Sequence, residues 1–239
     1  MLKEAADLPI IKLNLTGYNL IPSRFPPVPL YERLASERSD RFSEIESLTN
    51  PRLREKQRLI QQNMAKDESC PSLQNWNHAP FAYSNPEGTR FFNPNINCLE
   101  ASVDRQTALA TSVRKRERFL QSTSEDPINL DMRMFSRTIT GKFADARHLP
   151  RDLGKVERWD LGYQIAEAGM DGVIFKSHLR PSGDCISVLK GQLLGTTVQG
   201  NHYRFVWDGT KIRALYSYNE GAKVINPLDL LLDDCCIAA

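Results

Sequence analysis

Cysteine and histidine are scarce in this chain, and neither is grouped. There are five cysteines and four histidines in 239 residues. Cys70, Cys98, Cys185, Cys235 and Cys236 form no C-x-x-C pair, and their odd number does not suit a disulfide framework, so neither a disulfide scaffold nor a zinc site is expected. His78, His148, His178 and His202 lack H-x-x-x-H spacing, and no metal is predicted. Charge of one sign is scarce too. A formal net charge of +2 leaves no electrostatic footprint for nucleic acid, so direct nucleic-acid binding is not expected. No apolar run approaches the length of a membrane span. The opening Met1-Leu2-Lys3-Glu4-Ala5-Ala6-Asp7 has acids where a secretory signal has an apolar stretch, so the expected location is cytoplasmic. No internal repeat is visible. The last four residues, Cys236-Ile237-Ala238-Ala239, match the C-a-a-X prenylation pattern. No polybasic segment adjoins them and Asp233-Asp234 would oppose anionic lipid, so the match reads as coincidence.

What is present describes one domain over residues 1–239, with 41% hydrophobic and 25% charged residues and enough chain for a substantial core. Ile21-Pro22-Ser23-Arg24-Phe25-Pro26-Pro27-Val28-Pro29 should be extended and docked, since four prolines exclude a helix. Helical signals follow over about residues 40–66: Ser43 and Glu46 at capping-box spacing, then Asn50-Pro51 as an N-cap with proline at the first helical position. Residues 67–97 read as a long loop rich in aromatics, among them Tyr83, Phe91 and Phe92, and such segments are more often functional than not.

Asp104 should cap a helix to about Gln121 with Leu109, Val113 and Leu120 on one face. Thr111, roughly 200° round from Leu109, should point elsewhere. Arg114-Lys115-Arg116-Glu117-Arg118 reads as a solvated helix face. Ile128–Ser136 reads as a strand, because Leu130, Met132 and Met134 recur at period two. Trp159, Tyr163, Ala166 and Met170 have helical spacing, ended by Gly169. Val173–Phe175 and Cys185–Leu189 read as short buried strands. Tyr203–Trp207, Asp208-Gly209 and Ile212–Tyr218 read as a β-hairpin. The pattern predicts an α+β fold, with a central mixed sheet, flanking helices and a tail over residues 220–239.

Several blocks then resemble one known family in order along the chain. They are Ile21–Arg33, Leu48–Arg54, Asn85-Pro86-Glu87-Gly88-Thr89-Arg90-Phe91, Arg116–Leu120, Asp171–Ser177 and Tyr203–Gly209. Together they span about residues 18–213 and are similar to the longer RES-domain proteins, and colinearity makes them more specific than any short motif. The resemblance implies a fold related to the ADP-ribosyltransferases. It implies an NAD⁺ glycohydrolase or NAD⁺ phosphorylase, cleaving the nicotinamide–ribose bond to water or to phosphate, with NAD⁺ as substrate and no separate cofactor. It also implies a toxin held by an Xre-type helix-turn-helix antitoxin.

The family's site is an arginine, a glutamate and a serine, with a tyrosine. Matched residue by residue, the arginine is Arg90 and the serine is Ser177. The glutamate position falls on Thr111, in Ala108-Leu109-Ala110-Thr111. The tyrosine should lie near Cys98-Leu99-Glu100-Ala101, which has none, and Leu99 is the place to restore it. Arg90 could hold a pyrophosphate through paired charge-assisted hydrogen bonds. Tyr83, Phe91 or Phe92 could stack on a ring of the substrate. Ser177 could bond ribose or phosphate, or its own backbone. Cleavage develops positive charge on the ribose, which a carboxylate stabilises and a threonine does not. Glu100 is the nearest acid that could compensate. Two readings stay open: an active enzyme with an altered acid, and a catalytically impaired pseudoenzyme that binds nucleotide or a protein partner.

Overall fold

The computed structural model describes residues 5–23, 77, 79–218 and 223–233. The helical signals of residues 40–66, the block Arg24–Arg33 and the terminal cysteines Cys235 and Cys236 lie outside the described residues.

The fold is organised by one long strand. Strand β1 is Ile10–Pro22, β2 Leu99–Ser102 and β3 Ile128–Asp145, with β4 Gly172–Lys176, β5 Asp184–Val188, β6 Val198–Trp207, β7 Ile212–Ser217 and β8 Val224–Ile225 completing an eight-stranded mixed sheet. Helix α1 is Arg105–Gln121 and α2 is Lys155–Glu167. The order is β1-β2-β5-β4-β3-β6-β7-β8, and β1 also pairs with β3. One edge of β3 pairs antiparallel with β1 from Pro22↔Met132 to Ile10↔Ala144. Its other edge is shared. The first half pairs with β6, the far end runs parallel to β4 at Ala144↔Val173 and Asp145↔Ile174, and Leu194 bridges to Ile139 between them. The strands β1, β2, β5, β4 and β3 therefore form a closed circuit. Its seam is β1 against β2, which meet at Tyr18↔Ser102.

Helix α1 begins as expected. The Asp104 side chain accepts from the Thr107 N–H at 2.8 Å, which satisfies one of the open N–H groups of the first turn. Leu109, Val113 and Leu120 are buried against Met132, Phe205 and Leu215 of the sheet, each contributing about 1.5–3 kcal/mol of apolar burial. Helix α2 differs from the expected stripe. Tyr163 is 53% exposed, and the buried face is Leu161, Gly162 and Ile165. Gly162 decides this, since its missing side chain lets the helix rest on the backbone of Phe91. The predicted strand at Ile128 continues to Asp145, and β1 forms where no strand was expected. The hairpin forms with Gly209 at φ +99, a backbone state that favours glycine.

Candidate functional site

The seam between β1 and β2 opens into a cleft of about 100 Å³. Tyr18, Asn19 and Leu20 line one side and Glu100, Ala101 and Ser102 another, with Thr111, Ser112, Lys115 and Arg116 of α1 across from them and Cys185 alongside. Strand alternation sets what β2 presents. Leu99 and Ala101 are buried in the core with Ile186 and Val188, while the Glu100 side chain is 13% exposed. Leu99, the position proposed for a restored tyrosine, therefore packs in the core, and a tyrosine there would overpack it.

Thr111 and Lys115 are one turn apart and share a helix face. Lys115 Nζ donates to Glu100 Oε2 at 3.0 Å. The carboxylate beside it raises the lysine pKa, and the lysine side chain itself stays 53% exposed. The expected solvated face of residues 114–118 is thus only partly so. Arg114, Lys115 and Arg118 are exposed, Lys115 and Arg116 also border the cleft, and Glu117 accepts from the Ile212 N–H at 3.0 Å. Among the lining residues Glu100 is the one acid.

Arg90 approaches from the loop before β2. Helix α2 holds that loop, with Trp159 Nε1 donating to the Thr89 carbonyl at 3.1 Å and Arg158 Nε to the Arg90 carbonyl at 3.1 Å. The Arg90 guanidinium donates to the Arg151 carbonyl at 2.6 Å and lies 5.9 Å over the Phe175 ring. Its Nε is buried with no hydrogen-bond partner among the described residues. Burial lowers its pKa, Arg158 and Arg151 lower it further, and the charge of Glu100 acts the other way. Arg90 is not among the residues that line the cleft, and neither is Ser177.

Ser177 directly follows β4 and is 1% exposed. Its Oγ accepts from the N–H groups of Leu179 and Arg180 at 3.2 and 3.3 Å, closing the turn after the strand. Its carbonyl accepts from Arg151 Nε at 3.1 Å. The Cys185 side chain lies 3.7 Å from Ser102 Oγ in the cleft wall. The Cys185 thiol is pushed up to about 12, by burial first and then by Glu100, so it stays protonated and is no nucleophile. Of the aromatic candidates, Phe91 is 2% exposed and packs on Phe175 with ring centroids 4.9 Å apart, a core position, while Phe92 is wholly buried. Tyr83 is exposed.

Sequence reasoning missed Lys115, Arg151, Arg158 and His178. Lys115 could have been found from its one-turn spacing to Thr111. The others carry no local signal, because only the fold brings them to Arg90. The His178 ring is pushed down to about 4, by burial first and then by Arg90, with Glu100 opposing. Its folded pKa lies below its ordinary value of about 6.5, so the unfolded chain takes up the proton first. Stability should therefore fall as pH drops from about 6.5 to about 4, and His178→Gln should flatten that part of the profile. Denaturant midpoints across this range measure it, and an imidazole titrating near 6.5 by NMR would contradict it. Among the described residues no group of three His, Cys, Asp or Glu is placed to hold a metal, and no helix is long and apolar enough to cross a membrane.

A closed mixed sheet with two helices, whose seam opens on an arginine-flanked cleft with one acid, defines an α+β domain with a built polar site. Residues 70–208, more than half of the chain, match the RES domain family. The chain belongs to the RES domain family. It is 51% identical over 211 residues to the uncharacterized protein y4oC of Sinorhizobium fredii, covering 88% of this chain and 90% of that protein. A chain of the M. tuberculosis MbcT–MbcA toxin–antitoxin complex superposes with a TM-score of 0.44 at 11% identity, over 80% of this chain and 86% of that one.

Proposed function

We propose that this chain is a toxin-like NAD⁺-degrading enzyme that cleaves the nicotinamide–ribose bond, transferring ADP-ribose to water or to phosphate. The observation that carries the reading is Arg90. Its guanidinium is held in place by Arg151 and Phe175 and has a buried Nε with no hydrogen-bond partner among the described residues. An arginine desolvated among other cations is unfavourable alone, and an anion arriving beside it relieves that cost. The pyrophosphate of NAD⁺ is such an anion. Ser177 closes the turn that carries His178, Leu179 and Arg180, and Tyr83 is an exposed ring of the loop that carries Arg90. The bond that breaks is C1′–N, whose electron pair leaves with nicotinamide, while an oxygen of water or phosphate bonds C1′. Water gives up a proton to solvent in doing so. The partner in this reading is an Xre-type antitoxin, and the setting is a cytoplasm containing NAD⁺.

Purified chain incubated with NAD⁺, with and without phosphate, tests it: nicotinamide release above the buffer rate is expected. Absence of release from a folded preparation removes the enzymatic reading.

Thr111 favours a second reading, an impaired enzyme that binds without cleaving. Losing one preorganised electrostatic group lowers rate by ~10²–10³-fold. On this reading the wild type binds NAD⁺ without turnover, and Thr111→Glu gains measurable nicotinamide release. A wild type that already consumes NAD⁺ rapidly would rule it out.

A further inference from the structure

The family position for the acid is occupied by Thr111, yet the cleft beside it is not without a carboxylate. Glu100 reaches the same cleft from the opposite wall. It stands on β2 rather than α1, opposite Ser187 in register, between two residues whose side chains lie in the core. That placement holds its backbone firmly. Its Oε2 is taken by Lys115, and its Oε1 accepts no hydrogen bond among the described residues. One oxygen is anchored and one is available. The anchor comes from the helix turn directly after Thr111, so the lysine stands where it could equally hold an acid at position 111. The charge of Glu100 acts on Arg90, Cys98, Lys115, His178 and Cys185.

We infer that the carboxylate of this cleft has moved from the helix to the strand: Glu100 supplies the negative charge beside the reacting ribose, and Lys115 is the positioning residue that holds it. The inference rests on the NAD⁺ reading above. Glu100 takes no proton and forms no bond in it. Its ionised oxygen faces the positive charge that grows on the ribose as the electron pair departs with nicotinamide. Lys115 fixes the carboxylate rotamer before substrate arrives, so that no reorganisation is needed when the charge develops. A bare ion pair joining a strand to a helix would look alike in the free protein, and the two roles separate in the variants.

The experiment is nicotinamide release by the purified full chain and by Glu100→Gln, Lys115→Met, Lys115→Arg and Glu100→Gln/Thr111→Glu, each checked for folding by thermal melt. Glu100→Gln is expected to lower kcat by ~10²–10³-fold with KM nearly unchanged, since the lost interaction belongs to the transition state. Lys115→Met should lose about tenfold in kcat, or roughly 1.4 kcal/mol of barrier, while Lys115→Arg, which keeps the charge, retains most of the activity. Thr111→Glu should restore turnover to the Glu100→Gln protein, because it returns an acid to the same cleft beside the same lysine. A structural strut would not be rescued from another element. Wild-type turnover in Glu100→Gln overturns the inference and leaves the NAD⁺ reading standing. A loss that Thr111→Glu does not recover overturns it too. If Glu100→Gln does not fold, equal activity of Lys115→Met and wild type overturns it. No turnover by the wild type overturns the inference and the NAD⁺ reading together.

Discussion

Gly162→Ala should lower the melting temperature by roughly 4–8 °C and reduce activity with it. The added carbon would land on the Phe91 carbonyl, with the Phe92 ring 3.1 Å away on the other side. Two effects oppose each other. Alanine in a helix interior is favoured over glycine by about 1 kcal/mol. Overpacking costs about 1–3 kcal/mol, and the upper end applies here because a backbone carbonyl cannot rotate away as a side chain would. The clash wins by about 2 kcal/mol, which for a chain of this length is the stated shift. Activity follows because the displaced loop carries Arg90, which α2 holds through Trp159 and Arg158. Gly154→Ala is the control. Its added carbon meets only the Glu157 side chain, at 3.4 Å, and stability should change by no more than about 0.5 kcal/mol. Melting curves and nicotinamide release measure both, and equal melting temperatures for the two variants would show that α2 and the loop are not in fixed contact.

Arg90→Met should separate stability from activity. On the NAD⁺ reading, removing a guanidinium that makes charge-assisted bonds to pyrophosphate costs about 3 kcal/mol, or ~10²-fold in kcat/KM. Arg90→Lys should lose nearly as much, because a point charge does not replace a planar fork. The folded protein should not suffer. Burial and the neighbouring Arg158 both disfavour the Arg90 charge, and an apolar side chain of similar length removes that cost while keeping contact with Phe175. The expected melting temperature is unchanged or higher. A large drop in stability with normal turnover would make Arg90 a structural residue and remove the observation on which the proposed function rests.

The parts of the fold legible in the sequence were those that local chemistry dictates. Helix α1 was marked by the Asp104 cap and the stripe of Leu109, Val113 and Leu120. The β6–β7 hairpin was marked by Asp208-Gly209 between alternating apolar runs. Strand β3 was legible to Ser136 and no further, because Arg137, Thr138, Thr140 and Lys142 break the apolar alternation. The strand continues there because β1 pairs along one edge while Leu194 and β4 take the other. Strand β1 carries its own alternation at Leu13 and Leu15, but its extent over Ile10–Pro22 follows from the length of β3 opposite it. The stripe proposed for α2 was displaced because a glycine contact, invisible to hydrophobic spacing, chose the buried face.

For the site, the sequence by itself determined the family and the identities of Arg90, Ser177 and Thr111, since the colinear blocks carry them. It could show that an acid was missing from the helix. Only the tertiary structure decided that Glu100 shares a cleft with Thr111, that Lys115 pairs with Glu100, that Phe91 is core and that Ser177 Oγ bonds its own turn. The reason is physical. A motif records spacing along the chain, whereas a charge acts through space. The packing of α1 against β2 brings a strand acid and a helix lysine to 3.0 Å, although they stand fifteen residues apart in segments with no common period.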